Sequence, residues 1–79
     1  MGAVEEYQAY LKQNKDLTAY KGYVTAVTNS LNQIKAQERR LEVNTTMSRE
    51  EKLSALAALR EQQIRVTKGL AEIDKKLGR

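Results

Sequence analysis

Two apolar stripes with the same alternating spacing leave this chain little choice but to pack helix against helix. The first runs Leu17, Tyr20, Val24, Val27, Leu31, Ile34, Glu38 and Leu41; the second runs Leu56, Leu59, Gln63, Val66, Leu70, Ile73 and Leu77. Each steps by three and four residues in turn, which keeps every member on one side of a helix and makes a seam that a second helix can cover. No Pro interrupts either stretch, and the four Gly are scattered at positions 2, 22, 69 and 78. Ala, Leu, Gln, Glu, Lys and Arg dominate, and the β-branched and aromatic clusters that announce strands are missing. The expected fold is therefore all-α: an antiparallel helical hairpin, coiled-coil-like along its seam, with a short N-terminal helix that makes a three-helix bundle if it folds back on the pair.

The joints are legible too. Val43, Asn44, Thr45, Thr46, Met47 and Ser48 form the only run poor in helix formers, and Ser48 followed three residues later by Glu51 has the order of a capping box. Glu50 and Glu51 then complement the positive end of the next helix, Lys75 and Lys76 its negative end, and Gly78 suits a C-terminal stop. Upstream, Val4, Tyr7 and Leu11 make a short stripe, but the step from Leu11 to Leu17 breaks the three-and-four rhythm at Asn14, Lys15 and Asp16. Either a short helix ends there and Asp16 caps its successor, or one long helix passes through with a stutter; the break is the expected form. The expected helices occupy residues 3–14, 17–43 and 48–77, together one domain.

A chain of 79 residues buries too little surface to have stability in reserve. With no Cys and no His, disulfides and the usual structural metal sites are ruled out as reinforcement, leaving helix packing and association. Leu53, Ala57 and Ile64 lie to one side of the second seam, so that helix has more apolar surface than one neighbour covers. Either the N-terminal helix or a second copy of the chain is expected to pack there. No stretch approaches the length of a membrane span, and the chain reads as soluble, in a virion or a host cytoplasm.

Catalysis and cofactor binding are not expected. The residue that most often serves as general base, His, is absent, and of the carboxylates only Glu38 falls on a seam, where it sets register or meets a base such as Arg49. No Gly-rich phosphate loop or Asp/Asn-rich calcium loop occurs. All four aromatic residues are tyrosines, Tyr7, Tyr10, Tyr20 and Tyr23, crowded into the first third of the chain. Beside Lys12, Lys15 and Lys21 they could stack on nucleic-acid bases, and a net charge of +4 leans the same way. The favoured reading is that their i,i+3 spacing widens the open end of the hairpin to receive the N-terminal segment. The residues expected to pack or to meet a protein partner are thus Tyr7, Tyr10, Leu17, Tyr20, Tyr23, Val24, Val27, Leu31, Ile34 and Leu41, then Leu53, Leu56, Leu59, Ile64, Val66, Leu70, Ile73 and Leu77, with Ser48 and Glu51 as the helix cap.

The run Thr46, Met47, Ser48, Arg49, Glu50, Glu51, Lys52, preceded by Leu31, Asn32, Gln33, Ile34, Lys35 and followed by Leu56, Leu59 and Arg60, resembles the helical tail segments of large phage polyvalent and internal virion (ejection) proteins. The resemblance spans residues 7–70 and implies a piece of a larger protein packed around or delivered with DNA, without catalytic residues in this segment. Function is expected to be structural: a module that associates with itself, as a homo-oligomer, or with a parent assembly. The alternatives are a small basic nucleic-acid-binding module or a phage-encoded protein that binds a host target.

If seam packing supplies most of the stability, Ser48→Ala costs about 0.5–2 kcal/mol, the range for a lost N-cap. Leu31→Ala or Leu70→Ala then costs roughly 2–5 kcal/mol if both side chains are fully buried. Matched thermal melts read the order, and a larger loss from Ser48→Ala than from Leu31→Ala would mean that the seam is misassigned.

Overall fold

A computed structural model describes residues 2–78, so that Arg79 of the basic tail, like Met1, lies outside the described residues. The fold is all-α: α1 spans Ala3–Gln13, α2 Leu17–Val43 and α3 Arg49–Lys76, with no strand among the described residues. The three helices pack as a small bundle about 47 × 22 × 16 Å.

Both breaks arise from side chains that satisfy the free amides of a helix start. At the first, the Asp16 carboxylate accepts from the Thr18 and Ala19 amides at 3.0 and 3.2 Å, and the Tyr10 carbonyl accepts from the Asn14 amide at 3.0 Å. The two Asp16 bonds cap amides that are free only at a helix start, which favours a break here over a stutter. At the second, the Asn44 side-chain oxygen accepts from the Thr46 and Met47 amides at 2.7 and 3.1 Å, an Asx turn that folds the chain back. The Ser48 hydroxyl then accepts from the Glu51 amide at 3.1 Å. This is half of the expected capping box: Glu51 takes part through its backbone, and its carboxylate makes no return bond to Ser48 among the described residues. At the far end the chain leaves α3 through Gly78 at φ +75°, a left-handed turn suited to Gly.

The start of α2 lies beside the end of α3, since the Tyr20 hydroxyl donates to the Asp74 carboxylate. The inner faces of both helices carry the expected stripes. Val27, Ile34, Leu59 and Ile73 are buried, and Tyr20, Val24, Leu31, Leu41, Leu56, Val66, Leu70 and Leu77 are partly so. The main cluster draws on all three helices: Leu11 from α1, Tyr23 and Val27 from α2, and Ile73 from α3. Glu38 and Gln63, the polar members of the stripes, are partly buried.

Four of the residues expected to pack or to meet a partner are exposed. Leu17 is 51 % exposed because it opens α2 beyond the reach of α3, whose Asp74 already faces Tyr20 three residues later. Tyr10 is 45 % exposed on the outer side of α1. Leu53 and Ile64 are 57 % and 58 % exposed on the outward side of α3. α1 does not cover them, because it docks elsewhere: its Tyr7 ring lies over Gly22 of α2, and its Gln8 amide lies over Gly69 of α3.

Those two glycines respond differently to an added methyl. At Gly22 a Cβ would stand 2.7–3.0 Å from three atoms at the rigid end of the Tyr7 ring. At Gly69 the tight contact, 2.9 Å, is with the flexible end of Gln8. Ala gains up to about 1 kcal/mol over Gly in a helix interior, so Gly69→Ala should be neutral or stabilising. Gly22→Ala should destabilise by about 1 kcal/mol or more, as crowding a packed core does. Thermal melts of both variants test the sign, and amide exchange in α1 should quicken in Gly22→Ala alone.

Candidate interaction surface

The tyrosines are spent largely on joining the helices. Tyr23 is fully buried at the junction of all three, Tyr7 and Tyr20 are partly buried against the core, and Tyr10 donates from its hydroxyl to the Asp16 carboxylate at 3.1 Å. The last contact ties α1 to the cap of α2. The Ala19 amide first, and then the Tyr10 hydroxyl, hold the Asp16 carboxyl below its ordinary value, while Asp16 in turn raises the Tyr10 phenol. Three of the four rings thus lie at least partly against protein, and the row of open aromatics that the base-stacking alternative needs is not assembled.

Two surfaces remain open. One, with a lining of mixed polarity, runs along the face of α2 on which α1 sits. Tyr7 and Ala3 line its first stretch with Gly22, Ala26, Asn29 and Gln33, around a space of about 640 Å³. A second stretch of about 380 Å³ is walled by Gln37, Arg40, Leu41, Ala55, Ala58 and Leu59. Residues 22, 26, 29, 33, 37 and 40 recur every three or four positions, so one face of α2 carries the groove along most of its length. α1, at roughly 1.5 Å per residue, is too short to follow it all the way.

The other surface is the outward face of α3. Leu53, Ala57 and Ile64 share it at spacings of four and seven, all exposed, with Arg60 between them. Single exposed aliphatics are ordinary, whereas several in a row on one helix face mark a contact.

Among the described residues no group of three or more Asp or Glu side chains is placed to hold a metal ion, and no helix is long and apolar enough to cross a membrane. Comparison with protein families, with curated proteins and with solved structures finds no match for this chain.

Sequence reasoning missed the parts of the junction that are not hydrophobic: Gly22, Gly69, Gln8 and Asp74. The glycines carried a signal, since Gly inside a helical pattern costs stability unless a close approach requires it. Gln8 and Asp74 carried none, being typical of solvated helix positions.

One feature of the junction is costly. The Tyr23 hydroxyl is buried with no hydrogen-bond partner, so Tyr23→Phe should be neutral or stabilise by about 1 kcal/mol, by removing an unmet polar group. The same burial, with Asp74, Glu72 and Tyr20 nearby, pushes the Tyr23 phenol above its ordinary value of 10.0. This titration therefore leaves stability unchanged below that value and lowers it as pH rises towards the higher folded value, because there the unfolded chain releases the proton first. Alkaline denaturation profiles should accordingly be shallower for Tyr23→Phe than for the native chain.

Proposed function

We propose that this chain is a non-catalytic helical interaction module. In this reading α2 and α3 form an antiparallel hairpin packed like a coiled coil along the alternating seam, α1 braces its open end, and the outer face of α3 meets another protein. The observation that carries it is the pair Leu53 and Ile64, each more than half exposed on a face that α1 leaves uncovered. Apolar side chains of that size in one stripe lower solubility unless something covers them. The resemblance of residues 46–52 and their flanks to phage internal virion and polyvalent proteins is the support for assigning the module to a virion or DNA-delivery protein. Nucleic acid is the weaker partner, since Tyr7, Tyr20 and Tyr23 are committed to the helix junction.

A photo-crosslinking residue at Ala57, on the stripe, and another at the exposed Asn32 of α2 test the proposal in cells that carry the gene. Discrete adducts of the chain with protein, either a second copy or another polypeptide, should form from position 57 and not from 32. Adducts with nucleic acid, or none from position 57, would overturn it. Replacing Leu53 and Ile64 together by Gln should abolish the adducts while leaving the melting temperature nearly unchanged, as expected of exposed positions.

A further inference from the structure

The partner on this face is set by its symmetry. Leu53, Ala57, Arg60 and Ile64 step by four, three and four residues along the outward side of α3. Read in either direction the order of large and small is almost the same: a large aliphatic at each end, a short and a long side chain between. Glu50 and Lys68 lie beyond the two ends, on the same flank of the stripe, since eighteen residues make five whole turns of about 3.6 residues each. Both are exposed, and neither is held in an ion pair among the described residues.

We propose that the outward face of α3 pairs with the same face of a second copy of this chain, head to tail, with Leu53 of each protomer against the partner's Ile64 and Glu50 against the partner's Lys68. The two-fold axis passes between Ala57 and Arg60. Turning a copy about it carries position 53 to the level of 64, position 57 to that of 60, and position 50 to within one residue of 68, and it keeps each flank on its own side. Every contact is therefore made twice, as in any isologous pair. A parallel pairing would put the two Glu50 on opposite flanks, and the two Lys68 likewise, so that neither meets an opposite charge; the charges favour the antiparallel arrangement.

One residue opposes the pairing. Arg60 of each protomer faces the partner's Ala57 and lies close to its own symmetry mate across the axis, where two guanidinium groups repel. With two large aliphatics per protomer and this repulsion at the centre, the interface is narrow, and the dimer exchanges rapidly rather than persisting. The inference rests on the interaction-module reading and names its partner.

Sedimentation equilibrium of the full chain at low salt, across a series of concentrations, tests it. The native chain should dimerise reversibly. Glu50→Lys and Lys68→Glu, each placing like charges at both ends, should weaken the dimer about threefold to tenfold, and the double exchange Glu50→Lys with Lys68→Glu should restore it. Arg60→Leu should tighten the dimer, and Leu53→Gln with Ile64→Gln should leave only monomer. Circular dichroism and thermal melts of each variant show that the fold is kept; Lys68→Glu is the cleanest arm, because Glu50 also lies in the first turn of α3. A native chain that stays monomeric at high concentration, single exchanges without effect, or a double exchange that fails to restore the dimer would overturn the proposal. If the chain is monomeric yet position 57 crosslinks to a different protein, the second copy is excluded and the interaction module stands; if it is monomeric and position 57 forms no adduct, both fall.

Discussion

Leu11, Tyr23, Val27 and Ile73 meet at the one place where three helices converge, and the rest of the structure depends on that meeting. A pair of helices in a chain this small shares a single seam and leaves the opposite sides of both in water. The third helix adds a buried junction at the open end, where the two longer helices would otherwise fray. Leu11 is completely withdrawn from solvent there, so α1 is bound by one deep anchor and by the Tyr7 ring beside it. The anchor works only because Asp16 breaks the chain in time for α1 to turn back, which couples a surface hydrogen bond to the formation of the core.

The junction also shows what close packing costs. Gly22 and Gly69 weaken their helices locally; at Gly22 the Tyr7 ring lies too near for a Cβ, whereas at Gly69 only the flexible end of Gln8 would have to shift. Tyr23 fills the space between the helices at the expense of an unpartnered hydroxyl, while Tyr20, nearer the end, keeps its hydroxyl paired with Asp74. Two tyrosines three residues apart on one helix thus meet opposite fates. The nearer a ring lies to the axis of the bundle, the fewer polar groups or waters can reach it.

Docking of α1 on the glycine side decides which apolar surface remains outside. Because α1 lies there, Leu53 and Ile64 stay outside, and the stretch lined by Leu41 and Leu59, beyond the reach of α1, stays open as well. The proposed self-pairing is thus a consequence of where the third helix lies, and the placement of Glu50 and Lys68 gives that face a direction as well as an apolar stripe.

The sequence by itself determined the helices, their ends and their inner faces, because each of these follows from local physics. The alternating spacing places one side chain above the next, Asp16 and Ser48 satisfy amides within three residues, and Gly78 takes a left-handed turn. Glu51 shows the limit even locally: its position marked a cap, but only its amide serves one. The tertiary structure alone decided which face of α3 receives α1, and with it the exposure of Leu53 and Ile64. Those residues are as apolar as the ones that are buried, and hydrophobicity has no direction. Which of two apolar faces is covered turns on how closely two helices can approach, and here Gly22, without a side chain, admits the Tyr7 ring of α1.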